Sequence, residues 1–118
     1  MFEIIFYRDS KGNEPVKDYI LSLFEGDNKD NRIKGNKFRD CIKVLKQNGT
    51  RAGRNYVKHL QGKLWELKVL KDRVIFFTYT DNTIVLLSCF RKKTQKTPKR
   101  EIEKAEKLMT EYTERSKQ

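Results

Sequence analysis

The 118-residue chain is poor in the side chains that build most metal and redox sites: it has one histidine, His59, two cysteines, Cys41 and Cys89, and one tryptophan, Trp65. A structural zinc site takes four ligands. With no Cys-x-x-Cys and a single histidine, this chain offers no such set, and no metal or other cofactor is expected. Both cysteines stand in apolar runs and read as buried, reduced core thiols. No apolar stretch approaches the roughly 18 residues of a membrane span, and the start lacks a basic segment followed by an apolar one, so no signal peptide is expected. A cytoplasmic protein with no membrane contact follows. Acidic residues are scarce as well, with 16 Asp and Glu against 27 Lys and Arg, a net charge of +11.

Residues 1–60 carry +5 of that charge and residues 61–118 carry +6, so the whole body is cationic rather than one tail. Such a surface suits nucleic acid, the ribosome or an acidic protein. A generally Lys-rich soluble surface would give the same count. The length is that of one domain, read as 1–118, and is enough to bury a core.

Phe2 to Tyr7 reads as a strand, Arg8 to Asn13 as a turn. Pro15 opens a helix whose stripe is Val16, Tyr19, Ile20, Leu23 and Phe24, ended by Gly26-Asp27-Asn28. A second helix over Lys29–Gln47 carries Phe38, Cys41, Ile42 and Leu45 on one face and Lys34, Lys37, Lys43 and Lys46 on the other. Asn48-Gly49 stops it. Arg51 to Lys58 reads as a basic loop, with at most a short strand at Tyr56-Val57. From Leu64 the period becomes two. Trp65, Leu67 and Val69 share a face, Glu66 and Lys68 the other. Arg73, Ile75, Phe77 and Tyr79 oppose Val74 and Phe76. Thr80 to Thr83 is a hairpin turn, and Ile84–Phe90, apolar on both faces, is a central strand. Thr97 reads as the N-cap of a last helix, with Pro98 as its first residue. Ile102, Ala105, Leu108, Met109 and Tyr112 line that helix, and its last residues are expected to fray. The order β-α-α-β-β-β-α makes an α+β domain with helices packed on a small, mostly antiparallel sheet.

The stretches His59 to Lys68, Arg73 to Phe77, Phe90 to Pro98 (FRKKTQKTP) and Glu101 to Ala105 together resemble the HigB-type, phage-derived branch of the RelE/ParE toxin superfamily. The resemblance is strong over the C-terminal half, and residues 1–50 share only the layout. It implies a RelE-like fold and the toxin of a type II toxin–antitoxin system. It further implies a ribosome-dependent mRNA endonuclease, silenced by a HigA-type helix-turn-helix antitoxin. Operator DNA would be met only through that antitoxin.

Metal-free RNA cleavage by the substrate's own 2′-hydroxyl needs a base, an acid and positive charge on the phosphorane oxygens. Arginine suits the charge role, since its planar fork grips phosphate in two places. By resemblance, Arg73 holds the position of the superfamily's catalytic strand arginine. Lys92 and Lys93 fall close to a second catalytic basic position. Strict alternation puts Lys92 with Ile84, Leu86 and Phe90, and Lys93 with Arg91, but the motif does not choose between them. Lys68 is a fourth catalytic candidate. Glu66 is a general base or an ion-pair partner of Lys68 or another cation, and His59 is an accessory acid/base or simply structural. Trp65 is assigned to the core. Phe90 shapes the site or stacks on a nucleotide. Lys58, Lys63, Arg91, Lys96, Lys99 and Arg100 are candidate rRNA or mRNA contacts, or else a solvated face. Two other functions fit the same sequence: a ParE-like gyrase inhibitor, and a nucleic-acid-binding module without activity.

Overall fold

The computed structural model describes residues 1–117. The chain runs β1 (Glu3–Phe6), α1 (Pro15–Ser22), α2 (Lys29–Asn48), a 3₁₀ turn (Gly49–Arg51), β2 (Val57–Gln61), β3 (Leu64–Val69), β4 (Asp72–Thr80), β5 (Thr83–Arg91) and α3 (Lys99–Ser116). The five strands form one sheet in the order β1-β5-β4-β3-β2. The parallel pair is β1 with β5, and the other neighbours are antiparallel. The α+β class and mostly antiparallel sheet agree with the sequence reading, and the arrangement is RelE-like. Among the described residues, no helix is long and apolar enough to cross a membrane.

The two faces of the sheet carry separate cores. Val57, Leu67, Val69, Val74, Phe76, Ile84 and Leu86 face α1 and α2 and meet Val16, Ile20, Phe38, Cys41 and Leu45. Leu64, Ile75, Phe77, Val85 and Leu87 face α3 and meet Ala105, Ile102, Leu108 and Tyr112. α3 therefore packs on the sheet. Its end is held too: Arg115 Nη2 donates to the Arg8 carbonyl at 2.6 Å, and the guanidinium lies 5.5 Å from the Tyr7 ring centre. The helix runs to Ser116, and Gln118 lies outside the described residues.

Three local expectations change. The segment read as a basic loop continues into β2, an edge strand joined to β3 by a tight turn in which Gly62 has φ +52°. Its residues VKHLQ are mostly polar because only Val57 is buried, so the apolar period that marks a strand is missing. Thr97 does not cap α3: Pro98 is the N-cap, with no side-chain cap bond, and the Thr97 hydroxyl points into the sheet. Cys41 is buried, but Cys89 is only partly so.

The fourth change matters most for function. Ile75 stands opposite Ser88 and Phe76 opposite Leu86, so Leu87 is an extra residue in β5. This β-bulge reverses the alternation beyond it. Ile84 and Leu86 face α1 and α2, whereas Phe90 packs with the α3-side core and Lys92 reaches that same side. Unbroken alternation would have put all four together.

Candidate functional site

Glu66 lies in the middle of β3, between Lys58 on β2 and Ile75 on β4, and is fully buried at 0 % exposure. A carboxylate taken out of water is costly unless it is paired and hydrogen-bonded. Here both oxygens are engaged. Thr97 donates from Oγ1 to Oε1 at 2.6 Å, and Lys92 Nζ donates to Oε2 at 3.3 Å. The Arg73 Nε stands 3.7 Å from the same Oε2. One buried acid thus gathers side chains from the start of β4, the end of β5 and the loop before α3. The bulge at Leu87 is what makes this possible, because it turns Lys92 towards the Glu66 face.

Arg73 is itself held by the backbone. Its Nη1 donates to the carbonyls of Leu70 and Asp72, each at 2.8 Å, in the turn where Leu70 takes φ +56°. Its buried Nε has no hydrogen-bond partner. Arg73 and Lys92 form the floor of an open cleft of about 470 Å³, completed by Leu70, Lys71, Lys93, Thr94 and Gln95. Four of its lining residues are cationic and none is acidic. Glu66 lies beneath the cleft and fixes the two cations without lining it. Fixed cations with no carboxylate in the lining are an arrangement that can hold an anion such as a phosphate.

Residues 28–110 match the family model described as Phage derived protein Gp49-like (DUF891). The chain belongs to this family. The Gp49-like family falls in the RelE/ParE toxin-like group, and membership implies an antitoxin partner in general. No curated protein matches the chain.

In this Gp49-like protein the other candidates from the sequence fall at different distances from that centre. Lys93 lines the exposed rim of the cleft. Phe90 pairs across the sheet with Arg73, on the same side. Lys68 is the cross-strand partner of Arg73 on β3, but its Nζ donates to the Arg54 carbonyl at 2.7 Å and not to Glu66. The expected Glu66–Lys68 pair is replaced by Glu66 with Lys92 and Arg73. Arg91 pairs with Asp72 and, by alternation, points to the opposite face. His59 is paired with Trp65 on β2 and β3, on the helix α1–α2 side, away from Glu66. Its Nε2 stands 2.8 Å from the Gly62 carbonyl. Lys58 is opposite Glu66 but exposed, and Lys63 is exposed in the β2–β3 turn. Lys96 and Lys99 are exposed on the loop before α3 and at its start; Lys99 lies 3.9 Å from Glu103, and Arg100 lies 3.7 Å from Glu101.

A second polar cluster in the Gp49-like chain escaped the sequence reading. Tyr19 of α1 donates to Asp72 at 2.7 Å, and Lys34 of α2 lies 3.2 Å from that carboxylate and 3.1 Å from the Tyr19 hydroxyl. Burial and the Asp72 carboxylate push the Tyr19 hydroxyl up. Burial alone would lower Lys34, but its bonds to Tyr19 and Asp72 outweigh that and raise it. The cluster lines a cleft of about 520 Å³ that also contains Ser88, whose hydroxyl is buried without a partner, and Cys89. Burial, helped by Asp72, pushes the Cys89 thiol up to about 12. Tyr19 reads in the sequence as one more member of an apolar stripe, and Lys34 as one of four lysines on the other face of α2. Only contacts between distant segments reveal the cluster.

Proposed function

We propose that this chain is a HigB-type toxin: a ribosome-dependent mRNA endonuclease, silenced by a HigA-type antitoxin. One observation carries the reading. The acid-free cleft over Arg73 and Lys92 is anchored from below by the buried Glu66.

In this reading an mRNA phosphate sits in the cleft. The adjacent 2′-oxygen attacks phosphorus, forming the P–O2′ bond as the P–O5′ bond breaks. The products are a 2′,3′-cyclic phosphate and a free 5′-hydroxyl. Arg73 and Lys92 stabilise the charge that builds on the non-bridging oxygens. The leaving 5′-oxygen takes its proton from Lys92 or Lys93, the ammonium groups at the floor and rim. Glu66 is the wrong group for the base, because both its oxygens are engaged and it has no contact with solvent. The cleft is lined by neither carboxylate nor imidazole. We assign removal of the 2′-hydroxyl proton to the ribosome–mRNA complex, which also sets the in-line geometry. This is the physical ground for dependence on the ribosome. Lys68 and Lys93 add positive charge at the margins.

The test compares induced wild type with Arg73→Ala at matched protein levels, mapping mRNA 5′ ends by primer extension. In-frame cuts inside translated regions, absent in the variant, are the expected result. Growth arrest with intact mRNA would overturn the nuclease reading in favour of a ParE-like gyrase inhibitor. Arg73→Ala that cuts as well as wild type would remove Arg73 from the mechanism.

A further inference from the structure

A second acid-free cleft, of about 560 Å³, opens at the β2 edge of the sheet. Arg54, Lys58, His59, Trp65 and Lys68 are among its lining residues, and none of the lining residues is Asp or Glu. Trp65 is half-buried, rooted in the core that faces α1 and α2. The His59 ring stands edge-on to the indole, with ring centres 5.1 Å apart and planes at 65°. A carbonyl only accepts, so the 2.8 Å contact of His59 Nε2 with the Gly62 carbonyl puts the ring proton on Nε2. The cleft thus combines aromatic surface and cations, the combination that holds a single-stranded nucleotide. Flat rings beside cations match a nucleotide, which brings a flat base and a phosphate together, more closely than an acidic peptide.

The two acid-free clefts share no lining residue but are neighbours across β3 and β4. Lys68 lines the second, and its cross-strand partner Arg73 lines the first. Resting on the RNA reading above, we propose that the Trp65 cleft is a subsite for a nucleotide of the same RNA strand whose phosphate sits at Arg73. Its base lies against Trp65 and His59, and its flanking phosphate lies on Arg54 and Lys58. The subsite positions the strand and takes no part in bond breaking.

Trp65 is the sole tryptophan, so its emission reports on this cleft alone. The probe is a short single-stranded RNA with every sugar 2′-O-methylated, which cannot cleave itself, titrated into the antitoxin-free full chain. Saturable quenching of Trp65 is expected. Arg54→Glu with Lys58→Glu, both at exposed positions, should weaken binding about tenfold or more and flatten its salt dependence. Trp65→Leu, followed by anisotropy of a labelled RNA, should lose roughly tenfold by removing one stacked base. RNA binding with unchanged Trp65 emission, and with equal affinity in the Arg54/Lys58 variant, would overturn the proposal. So would emission that responds to the antitoxin but not to RNA, which would make the cleft a protein interface. Cleavage of unmodified, ribosome-bound mRNA is assayed separately with the same protein preparation. Cleavage without a Trp65 response sinks the subsite alone, whereas a Trp65 response without cleavage supports the subsite and sinks the nuclease.

Discussion

Thr97 Oγ1 donates to Glu66 Oε1 at 2.6 Å across 31 residues of sequence, tying the basic loop after β5 to the centre of the sheet. A hydrogen bond to a charged acceptor contributes about 1.5–3 kcal/mol. Thr97→Val keeps the shape and deletes the donor. Its urea midpoint should fall by an amount equivalent to roughly 1–2 kcal/mol, with faster tryptic cleavage between Lys92 and Lys96. An unchanged midpoint and digestion pattern would mean the bond holds nothing in place.

Removing the acid should cost more than removing its hydroxyl partner. Lys92 and Arg73 are only 10 % and 16 % exposed in their side chains. Glu66→Ala leaves two cations close together with no counter-charge, at a cost of about 3–5 kcal/mol. Glu66→Gln still accepts from Thr97 and should lose less. Thermal melts of the two variants check this order, and equal melting temperatures would contradict it.

Arg73→Lys separates charge from geometry. Lysine keeps the positive charge but has no fork, and it cannot hold the Leu70 and Asp72 carbonyls and a phosphate together. Single-turnover cleavage of ribosome-bound mRNA should slow by about 10²-fold, near the loss for one transition-state donor. A rate within a few-fold of wild type would mean that charge alone suffices.

Gly49 is required by the backbone and by space. It closes α2 at φ +58°, and a Cβ there would stand 2.6 Å from the Phe2 ring. Gly49→Ala should destabilise the protein by about 1–3 kcal/mol by chemical denaturation. A neutral result would show that β1 slides freely on α2.

Stability should decline on the alkaline side. Burial, followed by a hydrogen bond to Glu111 and its charge, pushes Tyr7 from 10.0 up to about 12. Burial and Asp72 push Cys89 from 9.0 up to about 12. Both groups keep their protons in the fold at pH values where the unfolded chain has lost them. Between about pH 9 and 12 unfolding releases protons, so stability falls as pH rises. The urea midpoint should be lower near pH 10.5 than near pH 8, and folded Cys89 should resist iodoacetamide near pH 8. Equal midpoints, or prompt alkylation, would contradict the shifts.

The sequence made most of the fold legible because most of it is periodic. The stripes of α1 and α2 and the alternation in β3 and β4 are short-range patterns, and they describe the faces correctly. β2 was hidden because an exposed edge strand has almost no apolar period to show. The Gly62 turn before β3 was its one available signal. Arg73, Lys92 and Glu66 stood out as residues, but their relation did not. Which cation faces Glu66 depends on the extra residue at Leu87, in a run of apolar side chains where any of them could be the insertion. Thr97 looked like a helix cap because Ser and Thr before Pro commonly are. Its true partner is 31 positions away. The Tyr19–Asp72–Lys34 cluster joins three elements and has no local signature.

The insertion at Leu87 also carries a message about tolerance to change. β5 keeps two rhythms, one that fills the cores at its start and one that aims Lys92 at its end, with a single residue as the offset between them. Most substitutions along the strand alter one side chain. Losing that one residue would leave the apolar half in place while swapping the faces of the basic end, Lys92 onto the helix α1–α2 side and Arg91 onto the other. The sheet could still form, but Lys92 would be pointed at the wrong hemisphere. In this strand, length is more heavily constrained than composition.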